Sequence, residues 1–84
     1  MNDDLLWQDA TPNKKALDLS RRAAAIDPSP HVMDTLAESL YANGYVDEAI
    51  QAAETALSTA KSNRAYYDGQ LERFRAARDN PVSN

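Results

Sequence analysis

The chain has no cysteine. This excludes disulfides and thiolate metal sites and removes any basis for reading a redox compartment, so a reducing cytoplasm is the default expectation. Positive charge is in short supply: nine Lys and Arg stand against thirteen Asp and Glu, for a formal net charge of −4. A chain of that sign does not supply the field that nucleic acid or an anionic membrane surface requires, so neither is expected as a partner. No apolar run approaches the roughly 20 residues of a membrane-spanning helix. The opening "MNDDLLWQDA" is acidic where a secretory signal would be basic. Glycine (two) and proline (four) are scarce; Gly44 and the prolines read as punctuation in an otherwise helix-forming sequence, whereas Gly69 falls inside the last expected helix.

What is present is alanine, leucine and charged residues in helical rhythm. At 84 residues the chain is one domain at most, and the composition predicts an all-α fold. A short helix is expected over about Asp3 to Asp9, carrying Leu5, Leu6 and Trp7. A second is expected from Pro12, with Thr11 as a cap, to Ile26, where "IDPSP" ends it. A third runs from Pro30 to about Asn43 with Ser29 as its cap, and Gly44 stops it by taking a left-handed conformation. A fourth runs from Val46 to Thr59 or Ala60, with Asp47 and Glu48 in its first turn. A fifth begins near Asn63, frays by Asp79, and is followed by a loose tail, "NPVSN".

Within "LAESLYANGYVDEAI" the single Gly44 therefore reads as the turn of an antiparallel helix pair. Met33, Leu36, Ala37 and Leu40 form one apolar face. Val46, Ala49, Ile50, Ala53, Ala56 and Leu57 form the facing one. Alanine at that crossing lets the two backbones approach closely. The segment before it matches the segment after it at an offset of 33 residues: Ala16 with Ala49, Leu17 with Ile50, Ser20 with Ala53, Ala23 with Ala56, and Ala24 with Leu57. Short periods filled by helix pairs point to a stacked array of units.

On these residues the chain resembles the tetratricopeptide repeat family. "MDTLAESLYANGYVDEAIQAAETAL" carries the resemblance through Leu36-Ala37, Leu40 with Tyr41 beside it, Gly44, and Ala49, Ala53 and Ala56. "KKALDLSRRAAAIDPSP" looks like the second helix of a preceding unit with its usual proline ending. Met33 stands where the family often has tryptophan, and the position after Ala60 lacks the family's second terminating proline. The resemblance implies a right-handed antiparallel helix-hairpin array. It divides the chain into one domain over residues 1–80, with a truncated first repeat (1–30), a second repeat (31–62) and a capping helix (63–79), followed by a flexible tail over residues 80–84. Tyr67, Leu71 and Phe74 would cover the open end of the array.

In that family the first helix of each unit lines a groove that holds a peptide or helix of a partner protein. The matching residues here are His31, Asp34, Glu38 and Tyr41, on the side of the helix not used by Met33, Leu36 and Leu40. Between His31 and Ser58 there are five acids and no Lys or Arg, so a basic or amide-rich segment is the expected ligand. Clamping a chain-terminal carboxylate would require Lys, Arg and Asn on this face, and Asp34 and Glu38 disfavour it. The bland reading is that these acids are solvated helix surface.

Other chemistry finds little support. His31 and Asp34 alone make a poor metal site. No nucleophile, oxyanion hole or enclosing pocket is evident, so no catalytic residue, cofactor or small-molecule substrate is expected. Five basic residues gather after Ala60, with Tyr66 and Tyr67 nearby, but that helix already has the job of closing the array. Leu5, Leu6 and Trp7 either fold back on the helix that follows or form a patch for something else, a second copy of the chain included, so a homodimer stays open. The expected function is non-catalytic protein–protein interaction. The alternative is a structural or self-associating end of a larger scaffold with no peptide ligand.

Overall fold

The computed structural model describes residues 12–79, with side chains from residue 14 onward. It contains four α-helices in chain order: α1 (Pro12–Ile26), α2 (Pro30–Ala42), α3 (Val46–Thr59) and α4 (Arg64–Asp79). Consecutive helices pack on one another, α1 on α2, α2 on α3 and α3 on α4. The fold is all-α. The helix expected over Asp3 to Asp9 lies outside the described residues, as does the tail after Asp79.

Local chemistry accounts for each boundary. Pro28 and Pro30 bar the residues before them from helix, and α1 stops at Ile26. Ser29 takes the capping position of α2 with extended backbone angles, but its hydroxyl makes no cap bond. Pro30 at the first helical position has no N–H to satisfy, and the Ser29 carbonyl accepts from Met33 N–H at 2.8 Å. Gly44 closes α2 at φ +88°. The Tyr45 N–H returns to the Leu40 carbonyl at 2.9 Å, and the Gly44 N–H to Tyr41 at 3.0 Å, so the carbonyls left over at the end of α2 find donors in the turn.

The α3–α4 corner is tied more firmly. Asn63 adopts φ +56°, a region that asparagine tolerates better than most residues. The Arg64 guanidinium then donates from Nη1 to the carbonyls of both Leu57 and Ala60 at 2.8 Å. A cation at the carboxyl end of α3 also complements its dipole.

The core is built of small residues between larger ones. Ala37, Ala49, Ala53 and Ala56 are all at or below 1% exposure, so α2 and α3 cross with methyl groups at the contact. Leu36, Leu40 and Ile50 fill the flanks, Leu17 enters from α1, and Leu71 and Phe74 enter from α4. Tyr67 packs on Ala56 and Ala60 in an adjoining cluster. The expected covering stripe of Tyr67, Leu71 and Phe74 is thus buried against α3.

The sequence match between α1 and α3 holds for burial at three positions of five. Leu17 and Ile50 are both buried, Ser20 and Ala53 are both buried, and Ala24 and Leu57 are both half-buried. It fails at Ala16 and Ala23, which are exposed while Ala49 and Ala56 are buried. The reason is position in the stack. α3 lies between α2 and α4, whereas α1 has α2 as its main neighbour among the described residues.

Candidate functional site

The four residues singled out on α2 do not share one environment. Asp34 is 8% exposed. One turn on, Glu38 is half-buried, as is Tyr41. His31, in the first turn, is exposed and stands apart from the other three; it lines a shallow groove between α1 and α2 together with Leu19, Ser20, Ala23, Val32 and Thr35.

Asp34, Glu38 and Tyr41 are brought together by α4. Tyr66 donates its hydroxyl to Asp34 Oδ2 at 3.2 Å, and Gln70 Nε2 donates to Asp34 Oδ1 at 3.3 Å. Gln70 Nε2 also reaches Glu38 Oε2. Arg73 Nη2 donates to the same Glu38 oxygen at 2.7 Å and to Gln70 Oε1 at 3.3 Å. Above this ladder the Arg73 guanidinium lies 5.2 Å from the centre of the Tyr41 ring and 4.8 Å from that of Phe74. The two rings are themselves 4.8 Å apart and tilted by 34°. Cation, ring and carboxylate thus form a single mixed cluster.

This arrangement explains why an aspartate can sit nearly covered in an alanine-rich stack. A buried carboxylate is costly unless its oxygens receive donors, and here each oxygen has one. For Glu38 the effects oppose each other. Burial pushes its carboxyl up, but the hydrogen bonds from Gln70 and Arg73, with the Arg73 charge, outweigh that and hold it below the ordinary glutamate value. Tyr66 moves the other way. The negative charge of Asp34 is the leading reason its hydroxyl is held above the ordinary tyrosine value, with burial and the hydrogen bond adding to it.

The sequence reading missed the partners on α4, yet a signal for them exists. Tyr66, Gln70 and Arg73 fall at i, i+4 and i+7, each one residue before the buried stripe of Tyr67, Leu71 and Phe74. A polar stripe bordering an apolar one at the same spacing marks the edge of a helix contact. The acids expected to give this region an uncompensated negative charge also have partners in the chain itself: Glu48 pairs with Arg21 at 3.5 Å and Glu54 with Arg75 at 3.0 Å.

The outer edge of the α2–α4 seam remains accessible. The side chains of Glu38 and Arg73 are each nearly half exposed, and Tyr66 is 56% exposed. Among the described residues no group of three or more His, Asp or Glu could hold a metal ion, and no helix is long and apolar enough to cross a membrane. Leu5, Leu6 and Trp7, the candidates for self-association, lie outside the described residues. Compared with protein-family models, curated proteins and solved structures, the chain matches none.

Proposed function

We propose that this chain is a non-catalytic protein–protein interaction module of the tetratricopeptide type. It binds a peptide or helix of a partner protein along the seam between α2 and α4. The observation that carries this reading is that two helices meet over hydrogen-bonding and aromatic side chains that are fixed from within and still open to solvent: Glu38, Tyr41, Tyr66 and Arg73. Side chains already held in place lose little further freedom when a ligand arrives, and tyrosine and arginine are the residue types that most often dominate binding energy.

Intramolecular pairing changes the expected ligand. A purely basic segment would have to displace Arg73 and Gln70 from Glu38, so a segment offering both donors and acceptors, with an apolar group for the rings, fits better. Asp34 acts as internal support for Tyr66 and Gln70 and is not itself a contact. His31 falls outside the seam.

Panning a displayed library of random peptides against the whole chain tests this. Enriched peptides whose binding is lost in the Tyr66→Ala/Arg73→Ala double variant, at unchanged helicity, support the reading. A library that yields no binders, or binders indifferent to both substitutions, removes it. The structural alternative, a self-associating end of a larger scaffold, draws on a different observation: Leu19 and Ile26 on α1 are 64% and 85% exposed, and apolar side chains of that size on one helix suit packing against another element.

A further inference from the structure

The outer face of α1 carries Ala16, Leu19, Ala23 and Ile26 at i, i+3, i+7 and i+10, all exposed. This is a second apolar stripe, separate from the one formed by Leu17 and Ala24 that faces the core. It borders an open groove of about 270 Å³ lined by Leu19, Ser20, Ala23, His31, Val32 and Thr35. Lys15 and Arg22 lie beside the stripe on the helix, and both are exposed. α1 as a whole is basic, with Lys14, Lys15, Arg21 and Arg22 against Asp18. An apolar channel rimmed by cations and a histidine selects a segment that is apolar in its centre and acidic at its ends.

The chain contains such a segment. Residues 1–11, which precede the described part, include Leu5, Leu6 and Trp7 between Asp3-Asp4 and Asp9, with no Lys or Arg. The length is adequate. Leu19 and Ala23 stand roughly 10 and 16 Å along α1 from Pro12, and the six residues from Leu6 to Thr11 reach up to about 20 Å. We propose that the groove between α1 and α2 is the docking site of this chain's own Leu5-Leu6-Trp7 segment, held by apolar contact with Leu19 and Ala23 and steered by Lys15 and Arg22. A covalently joined segment acts at an effective concentration in the millimolar range, well above that of a second molecule in dilute solution.

Trp7 is the only tryptophan, so fluorescence of the full chain reads its environment directly. Emission should be blue-shifted and shielded from a soluble quencher, and it should not change on dilution. In Leu19→Lys the emission should move to that of solvent-exposed indole and the quenching constant should rise several-fold. Helicity should hold in that variant, because Leu19 is already 64% exposed. Arg22→Glu should do the same in part and remove the salt dependence. Three outcomes overturn the proposal: solvent-like emission in the unmodified chain; shielding that survives Leu19→Lys; or shielding that disappears on dilution together with a doubled mass, which assigns the groove to a second copy. None of these readouts involves the α2–α4 seam, so the proposal stands or falls independently of the interaction module.

Discussion

Replacing Phe74 by alanine is the sharpest test of how α4 is held. Among the described residues Phe74 is the largest fully buried side chain, at 0% exposure, and it reaches the cluster shared by α1, α2 and α3. Deleting a buried phenyl ring costs about 3–5 kcal/mol in lost transfer energy and residual cavity. The tilted contact with Tyr41 should account for about 0.5–1.5 kcal/mol of this. A domain with the 68 described residues has roughly 3–10 kcal/mol to lose, so the variant should fall to about half the parent stability or below. Urea unfolding followed by far-ultraviolet circular dichroism measures this directly. Phe74→Leu should recover part of the loss, because a branched aliphatic side chain refills part of the space. A double-mutant cycle with Tyr41→Ala isolates the ring pair and should give a coupling of about 0.5–1.5 kcal/mol. The reasoning fails if Phe74→Ala costs less than about 1 kcal/mol, or if the two substitutions add without coupling. Either result would mean that α4 does not seal the stack.

Other outcomes follow from the same contacts. A Cβ added at Gly69 meets nothing within 4 Å, so Gly69→Ala should raise stability by about 0.5–1 kcal/mol through helix propensity, whereas Gly44→Ala, with equal space but φ +88°, should lower it by about 1–2 kcal/mol; thermal melting separates the two. Ala53→Leu should cost about 1–3 kcal/mol by forcing α2 and α3 apart, while Ala16→Leu on the open face of α1 should change stability by less than about 0.5 kcal/mol. Because the folded-state pKa of Glu38 is depressed, its contribution is present above the ordinary glutamate value and is lost as pH falls through the folded value. The difference in melting temperature between the parent and Glu38→Gln should therefore shrink between about pH 6 and about pH 3. Tyr66 carries the opposite sign, since its pKa is raised: its contribution is present below about pH 10 and lost above the folded value, so alkaline pH should loosen the seam before it unfolds the helices.

How much of this was legible in the sequence depends on the length scale. Helix positions were, because Pro28, Pro30 and Gly44 act on their nearest neighbours and the 3.6-residue rhythm of Leu36, Leu40, Ala49 and Ala53 needs no partner to be seen. The end of α2 came one residue early, at Ala42, because Asn43 already belongs to the turn. The Ser29 cap did not form as expected: with Pro30 occupying the first helical position there is one fewer orphan donor, and the hydroxyl is not used. The fate of the α2 face was not legible. Whether Asp34 and Glu38 point into solvent or into a neighbouring helix depends on residues about 35 positions away, and Tyr66, Gln70 and Arg73 read alone as ordinary surface.

The pair of hydrogen bonds from Arg64 to the main-chain carbonyls of Leu57 and Ala60 has a mechanical consequence. A four-residue connection with a left-handed asparagine would ordinarily act as a free joint. Here the first residue of α4 is pinned to the last turn of α3, so α4 behaves as a lever whose fulcrum is the backbone of its predecessor. Tension applied to the far end of α4 is delivered to the middle of the stack before the corner can bend.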